Sequence, residues 1–478
     1  MTRLIARLSI LVIIFLTAFA ADTAAQNSAE TRAREIAALL TTGTRSDVKK
    51  YVEANFGGEM LKVPMDRHLG FFSSMHDNSR GYDIIGVQDA KPNSATLLVK
   101  SKLTGEYDAL FVAVEDKSPY KIAGIGMRKP LPPAATTKKL TEKEIGLEMD
   151  AFVKKLADAD VFSGAVLLAK DGVPVYKAAF GTANKDFNAP NKIDTKFNLG
   201  SMNKMFTAIA IAQLAERGKL SFDDPLSKFI PDFPDAESAQ KIKLKNLLSH
   251  TAGLGGYFTK RYQDMSRANL RTIGDMMALA KQDEKLLFEP GTQWRYSNTG
   301  MLVLGKVIEV VSGQSYYDYV RDNIYKPAGM TNTDCYELDK VNSNLAVGYD
   351  KQYSDAGTTF ANNIFEHVMR GGPQGGGFST VEDLLKFERA LRSNKLVGAQ
   401  FVTMLTTTKP ELNSPNYGFG FQADADSFGH SGGFIGINSN LSMYRNSGWT
   451  AIVMSNYSRG AQPIVQKLDD LIKANLRL

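Results

Sequence analysis

Residues 202–215 form an almost entirely apolar stretch of good helix formers, and Gly218 follows as a stop signal. A helix that is apolar on nearly every face belongs in the middle of a domain, so we predict a buried helix here. Lys204, near the start of this helix, breaks the pattern. Burying an ammonium group is costly unless the group is paired or its pKa falls.

Strand patterns flank this helix on both sides. Residues 162–169 and 173–181 predict a hairpin with a turn at Asp171 and Gly172. Near the end of the chain, strand-like runs cover residues 417–422, 434–444 and 450–456, and an amphipathic helix follows from about Ala461.

Helical patterns fill the region between the two sets of strands. One helix covers residues 298–313, with an N-cap at Asn298 or Thr299 and a C-cap at Gly313. Another starts at a capping box formed by Ser379 and Glu382. We therefore predict an α/β fold of the α+β type, with an antiparallel sheet built from both ends of the domain and a helical middle.

An earlier part of the chain has its own pattern. Over residues 26–127 two helical segments precede four hairpin-spaced strands, which predicts a small α+β accessory domain, cystatin-like or nuclear-transport-factor-like in pattern. Proline and charge mark residues 128–139 as a linker. A capping box at Thr141 and Glu144 then opens the main domain, which we place at residues 140–478.

The charge distribution and the first 25 residues of the chain bear on nucleic-acid binding, membrane insertion and export. The net charge of +6 is not concentrated in a basic tract, so we expect no nucleic-acid partner. An apolar run over residues 8–20 follows Arg3 and Arg7 and is shorter than the about 20 residues of a membrane span. We predict a signal peptide over residues 1–25, cleaved after Ala20 or Ala25, and no integral membrane segment after its removal.

Cys335 is the single cysteine of the chain. An internal disulfide framework is therefore excluded, and the signal region has no cysteine for lipid attachment. These features predict a periplasmic or secreted protein whose stability depends on the size of its core.

The first candidate for chemistry is Ser201 with Lys204. The same spacing also occurs at Ser46, Ser118 and Ser238, so the spacing alone is weak. Only Ser201 opens a buried helix, where a desolvated lysine one turn away can act as a general base on the serine hydroxyl.

Tyr296, Ser297 and Asn298 form the second candidate. A tyrosine near cationic groups can have a lowered phenol pKa and pass protons to and from a serine. The Asn298 amide can orient a substrate amide or ester. The alternative interpretation is a turn tyrosine followed by a helix-capping asparagine.

The third candidate is the run from Gly429 to Gly433. It matches G-x-S-x-G literally, but a strand-like pattern follows instead of a helix, and His430 is the last histidine of the chain. We expect a strand edge whose glycines, including Gly432, let a substrate lie close to the backbone. The Gly433 N–H could then join that of Ser201 in an oxyanion hole. The alternative is a glycine-rich turn.

Other candidates have weaker support. We expect His250 to organise a loop, because it lacks metal-like partners in the sequence. The triple glycine from Gly375 to Gly377 lacks the lysine of a phosphate-binding loop. We predict neither a metal nor a cofactor.

Together the three candidates stand in the order S-x-x-K, Y-x-N and H-x-G, and with their connecting segments they resemble the serine β-lactamase and penicillin-binding-protein superfamily. They are most similar to its class C β-lactamase-related branch, over about residues 140–478. The resemblance implies a β-lactamase/transpeptidase-like fold and an exported serine hydrolase.

The resemblance also implies roles. Ser201 attacks a carbonyl and becomes acylated, and Lys204 and Tyr296 activate it and later the deacylating water. The remaining residues bind the substrate: Asn298, His430, Ser431 and Gly432. The expected substrate is a small molecule or peptide with an ester, amide or β-lactam carbonyl.

His430 departs from the pattern, since β-lactamases of this branch usually carry lysine there. An imidazole holds a carboxylate less firmly than a fixed ammonium, which favours esterase or peptidase activity over penicillin hydrolysis. The alternative function is a catalytically silent sensor or binding protein that is acylated without turnover.

Overall fold

The computed structural model describes residues 28–128, 130, 139–280 and 285–477. The predicted signal peptide and most of the predicted linker lie outside these residues. The described chain forms two compact units: one extends to residue 130 and includes Gln352–Thr359, and the other comprises the rest. The inclusion of Gln352–Thr359 has no counterpart in the sequence pattern. None of the described helices combines the length and apolarity needed to cross a membrane.

In the first unit, the helices precede the four strands of its sheet along the chain. Four of its strands form an antiparallel sheet in the order β1-β2-β3-β4. Helix and strand residues such as Ile36, Val52 and Leu110 share its core. The elements are α1 (residues 28–42), α2 (Arg45–Asn55), α3 (Gly58–Leu61), α4 (Met65–Ser79), β1 (Tyr82–Lys91), β2 (Ser94–Ser101), β3 (Tyr107–Val114) and β4 (Ile122–Arg128).

The second unit contains the larger of the two hydrophobic cores. Its helices are α5 (Glu142–Asp158), α6 (Asn203–Glu216), α7 (Ala236–Lys241), α8 (Leu244–Leu248), α9 (Lys260–Asp264), α10 (Ile273–Ala280), α11 (Asn298–Ser312), α12 (Tyr316–Val320), α13 (Lys326–Ala328), α14 (Val381–Arg392), α15 (Ala399–Thr406) and α16 (Gln462–Arg477). Its strands are β5 (Gly164–Lys170), β6 (Val173–Phe180), β7 (Thr182–Asn184), β8 (Ala189–Pro190), β9 (Phe197–Asn198), β12 (Phe378–Ser379), β13 (Gln422–Ala423), β14 (Ser427–Phe434), β15 (Ile437–Tyr444) and β16 (Trp449–Ser455). Two further strands, β10 (Tyr349–Ser354) and β11 (Gly357–Asn362), each have residues in both units.

A six-stranded antiparallel sheet in the order β13-β14-β15-β16-β5-β6 confirms that both ends of this unit build one sheet. The β5–β6 turn at Asp171 and Gly172 has positive φ at both residues, which suits the right-handed twist of a hairpin. The predicted strand at residues 417–422 is wrong except for its last residue. Gly420 adopts φ +73°, which an extended strand cannot accommodate.

Helix α6 occupies the centre of the unit and confirms the predicted buried helix. A 3₁₀ turn, Gly200–Met202, precedes it, and every residue from Asn203 to Leu214 is buried. It packs against α11, α12 and α15. Gly218 ends it with φ +67°.

Two predicted N-caps are shifted by one or two residues. Helix α11 is capped by Ser297, whose hydroxyl accepts from the Gly300 N–H at 3.2 Å, and not by Asn298 or Thr299. Helix α14 is capped by Thr380 instead of Ser379. The first shift has a consequence for the site, because the Asn298 side chain is not used for capping.

Strand β14 touches the turn that carries Ser201. The Ser439 hydroxyl on β15 donates to the Leu199 carbonyl at 2.7 Å, and a Cβ added at Gly432 would lie 2.0 Å from that same oxygen. A Cβ added at the next residue, Gly433, would meet no heavy atom within 4 Å. Glycine at position 432 therefore permits the close approach of strand and turn.

We predict that Gly432→Ala lowers the free energy of unfolding by about 1–3 kcal/mol, because the new methyl group displaces the Leu199 turn. Gly433→Ala is the matched control and should change it by less than about 0.5 kcal/mol. Both tryptophans of the chain, Trp294 and Trp449, lie in the second unit, so urea unfolding followed by tryptophan fluorescence measures this unit. Equal effects of the two variants would contradict the close approach.

Candidate active site

Ser201 and Lys204 meet at the start of α6. The Lys204 Nζ lies 3.0 Å from the Ser201 Oγ. Lys204 has no exposed surface, whereas Ser201 is half-buried. The turn thus presents a reachable hydroxyl to a fully desolvated amine.

Two further oxygens surround the Lys204 amine. The Asn298 Oδ1 lies 2.7 Å from Nζ, and the Gln374 carbonyl oxygen also accepts from it. Neither group carries a negative charge, and burial lowers the pKa of Lys204 well below its ordinary 10.5. The Lys204 amine donates to the Ser201 Oγ as well; in its uncharged form it would donate to the other two oxygens and keep one lone pair for the Ser201 hydroxyl proton.

Tyr296 lies beside the same amine, with its ring centre 4.8 Å from Lys204 Nζ. Burial raises the pKa of Tyr296 above its ordinary 10, and a hydrogen bond with Ser201 offsets this only in part. The sequence-based expectation of a lowered phenol pKa is therefore wrong for the resting site. Its premise was a nearby cation, but desolvation has the largest influence on this phenol.

His250 supports Tyr296 from behind. Its ring centre lies 4.4 Å from that of Tyr296 and 4.6 Å from that of Tyr417. Its Nδ1 accepts from the Ser297 N–H at 3.3 Å, and its carbonyl accepts from the Arg295 N–H at 2.9 Å. The prediction that His250 organises a loop is confirmed by these contacts.

His430 is buried, and both of its ring nitrogens have partners. Nδ1 lies 2.6 Å from the Ser431 carbonyl oxygen, which can only accept, so Nδ1 carries a proton. Nε2 lies 2.8 Å from the Tyr417 hydroxyl. Burial, assisted by the proximity of Lys204, lowers the pKa of His430 to about 3. His430 is therefore neutral, and in this arrangement neither nitrogen is available to a substrate, contrary to the expected direct contact.

The other residues of the third motif line the edge of β14. The Ser431 N–H donates to the Gln422 Oε1 at 3.0 Å, and Ser431 itself is half-buried. Gly433 is exposed, and a Cβ added at Gly200 would lie 3.0 Å from the Gly433 nitrogen. The Gly433 amide is thus brought next to the Ser201 turn.

Sequence reasoning missed Gln374 and Tyr417. Gln374 lies in the glycine-rich loop of residues 371–377, which contacts the turn that carries Ser201: the Leu199 N–H donates to the Gly377 carbonyl at 2.7 Å. Tyr417 lies in a segment where Gly420 faces α6, since a Cβ there would lie 2.9 Å from the Lys204 carbonyl oxygen. Clustered glycines in both segments were the available signal of close backbone approach.

A cavity of about 460 Å³ adjoins this arrangement, lined in part by Trp294, Tyr296, Tyr417 and His430. A larger cavity, of about 1350 Å³, lies at the β5–β6 turn and is lined by none of the predicted site residues. Within the described part of the chain, no group of three or more histidine, cysteine, aspartate or glutamate side chains is placed to hold a metal ion.

Comparison with known proteins agrees with this geometry. The family model for beta-lactamase matches residues 149–473. The chain belongs to the beta-lactamase family. This confirms the resemblance to serine β-lactamases and penicillin-binding proteins and identifies the chain as a serine hydrolase of this family.

Individual proteins that the chain resembles include two penicillin-binding proteins and an amidohydrolase. Penicillin-binding protein 4* of Bacillus subtilis (strain 168) is 30% identical over 334 residues, which cover 64% of this chain and 71% of that protein. The crystal structure of a penicillin-binding protein from Bacillus halodurans matches with a TM-score of 0.59 at 28% identity, covering 67% of this chain and 99% of that one. A D-stereospecific amidohydrolase from Streptomyces sp. matches with a TM-score of 0.53 at 27% identity, covering 67% and 95%.

The buried state of His430 predicts an acid-sensitive stability for this β-lactamase-family unit. The folded-state pKa of about 3 lies below the ordinary 6.5, so the unfolded chain binds the proton more readily. The contribution of neutral His430 to the free energy of unfolding is fully present above about pH 6.5 and is lost as the pH falls towards 3. This residue contributes a slope of up to about 1.4 kcal/mol per pH unit.

We predict that His430→Gln, which cannot take up a proton, makes the free energy of unfolding less dependent on pH between 6.5 and 4. Urea unfolding at a series of pH values, followed by tryptophan fluorescence, measures this slope. An unchanged slope would mean that His430 is protonated in the folded protein.

Proposed function

We propose that the protein is an exported serine hydrolase of the class C β-lactamase-related type, which forms an acyl-enzyme on Ser201 and hydrolyses an ester or amide. The observation that carries the proposal is the bonding of Lys204. Among the described residues, its amine has three hydrogen-bond partners: the Asn298 Oδ1, the Gln374 carbonyl and the Ser201 hydroxyl, which lies 3.0 Å away.

In the first step the Ser201 Oγ attacks the substrate carbonyl carbon, and its proton passes to the Lys204 lone pair. The new ammonium keeps both acceptors. The carbonyl π electrons move onto the carbonyl oxygen, where the Ser201 and Gly433 N–H groups stabilise the charge. The approach of β14 to the Gly200 turn supports this pair of donors.

Tyr296 serves as the proton donor in the second step. The tetrahedral intermediate collapses, the bond to the leaving group breaks, and the leaving group takes the phenol proton. Protonated Lys204 now lies beside the phenolate and lowers its free energy, although the resting phenol has a raised pKa. Transfer of the proton from Lys204 to Tyr296 restores both neutral groups.

Hydrolysis of the acyl-enzyme uses the same groups. A water molecule attacks the ester carbon and gives a proton to Lys204, and the bond from that carbon to Oγ then breaks as Oγ takes the proton back. In this proposal Asn298 has two tasks. Its Oδ1 accepts from Lys204, and its Nδ2 donates to the substrate and orients it.

The substrate class follows from charge. His430 is neutral and engaged with Tyr417, so the position where β-lactamases usually carry lysine offers no cation for a carboxylate. We therefore infer esters and amides with an uncharged distal part, and at most weak penicillin hydrolysis. The similarity to a D-stereospecific amidohydrolase supports including D-amino-acid amides.

The proposal includes export through a signal peptide over residues 1–25. Mass spectrometry of the protein recovered from a secreting host would show a new N-terminus after residue 20 or 25. An N-terminus at Met1 in exported protein would contradict cleavage.

We predict that Ser201→Ala abolishes labelling by a fluorophosphonate probe and hydrolysis of p-nitrophenyl esters. Ser46→Ala, at an exposed serine with the same spacing to a lysine, is the matched control and should keep both. If the native protein continues to release p-nitrophenol after the initial burst, it is a hydrolase. A single stoichiometric burst would instead identify an acylatable sensor, and full labelling of Ser201→Ala would refute the assigned nucleophile.

We further predict that Lys204→Ala lowers the labelling rate by about 10²–10⁴-fold, because general base catalysis is lost. In the native protein the rate should fall on acidification as Lys204 takes up a proton, and this acidic limb should vanish in the variant. A pH profile of labelling measures both effects. An acidic limb that persists in Lys204→Ala would assign the base to another group.

A further inference from the structure

We propose that Phe258 and Phe434, here called the aromatic pair, form a subsite that binds an uncharged, apolar acyl group of the substrate next to Ser201. This inference rests on the proposed function and adds the chemical class of the acyl group. Four observations support it: the position of Phe434, the anchoring of Phe258, the exposure of the two rings and the absence of charge on their neighbour His367.

Phe434 lies on the site face of β14. Side chains alternate along a strand, so Phe434 shares a face with Gly432 and His430. Gly432 is the residue that touches the Leu199 turn, and Phe434 follows it by about 7 Å along the strand. Phe434 therefore directly follows Gly433, whose amide we assign to the oxyanion hole, and lies on the strand face of Gly432.

Phe258 reaches the same place from the loop between α8 and α9. Its ring is nearly parallel to that of Phe434, with centres 6.0 Å apart and an interplanar angle of 20°. It meets the Tyr262 ring edge-on at 5.0 Å. Two rings from distant parts of the chain thus form one continuous apolar surface.

The loop that carries Phe258 is tied to the catalytic groups. The Ser297 hydroxyl donates to the Gly255 carbonyl at 3.1 Å, directly beside Tyr296 in the chain. Tyr257 is buried, and its ring centre lies 4.6 Å from that of Phe258. The loop that carries Phe258 is thereby anchored both to the core and to the residue that follows Tyr296.

Apolar surface remains open on the aromatic pair. Phe258 is 47% exposed and Phe434 is half-buried, so an apolar ligand group can gain by covering them. His367, 6.3 Å from Phe434, has a pKa lowered to about 4 by burial and is neutral. The charged neighbours of Tyr262 are Arg267 and Glu366, and Arg267 donates to the Tyr262 and Met265 carbonyls.

The acyl group is a better fit than the leaving group on chemical grounds. An acyl chain stays attached to Ser201 through both steps, so contacts beside the oxyanion hole stabilise both transition states. Burial of each methylene should raise kcat/KM by about fourfold until the pair is covered.

The test measures kcat/KM of the full-length protein for p-nitrophenyl acetate, butyrate and hexanoate. We expect the native protein to prefer the longer esters. Phe258→Ala and Phe434→Leu should remove most of the gain per methylene and change the acetate value by less than about threefold. Phe187→Ala, at a ring that is 84% exposed in the β7–β8 turn, is the control and should leave the series unchanged.

Two results would overturn the subsite. An unchanged chain-length series in both variants means that the aromatic pair is packing only, and an equal loss for all three esters, acetate included, means that it binds the leaving group. Fluorophosphonate labelling of Ser201 in the same variants separates these results from failure of the proposed function, because labelling at another serine would refute the nucleophile itself.

Discussion

An ammonium group at Lys204 would have to give up its hydration inside a helix that is buried from Asn203 to Leu214. Among the described residues, its hydrogen-bond partners are neutral oxygens: an amide, a peptide carbonyl and a hydroxyl. Burial without a negatively charged hydrogen-bond partner lowers the pKa of Lys204 and so favours the uncharged amine, which is the form that the proposed mechanism uses. Desolvation of one side chain thus links the packing of the core to the reactivity of Ser201.

The surrounding elements are placed so that this amine has partners. Ser297 caps α11, which leaves the Asn298 side chain for Lys204. The glycine-rich loop brings the Gln374 carbonyl to the amine and pairs with the turn at Leu199 and Gly200. Strand β14 closes the other side because Gly432 has no side chain to oppose the approach. Each contact depends on backbone geometry at a cap, a loop or a strand.

The sequence was sufficient for the groups whose position follows from local periodicity. Ser201 and Lys204 lie one turn apart on a helix that its apolar pattern identifies, and the two-ended sheet follows from the strand patterns. Gln374 could not be predicted, because it contributes a backbone carbonyl and any residue type could supply one. The state of His430 could not be predicted either, since its Tyr417 partner is brought to it by a left-handed glycine turn instead of the expected strand.

Burial favours the uncharged form of each titratable group in the resting site, which makes burial compatible with the proposed catalysis. It lowers the pKa of Lys204, raises that of Tyr296 and lowers those of His430 and His250. In the mechanism that we propose, charge arises during the reaction, as an ammonium at Lys204 that faces an oxyanion on the substrate in the first step and a phenolate at Tyr296 in the second. Opposite charges attract one another strongly in a medium of low dielectric constant. A carboxylate on the substrate would add a third charge without a partner. A lysine at position 430 would supply that partner, but it would also place a second cation near Lys204 and lower the pKa of its amine further. Under the proposed mechanism, the neutral histidine gives up recognition of anionic substrates, and the movement of one proton between Ser201, Lys204 and Tyr296 accounts for the charge separation on the enzyme.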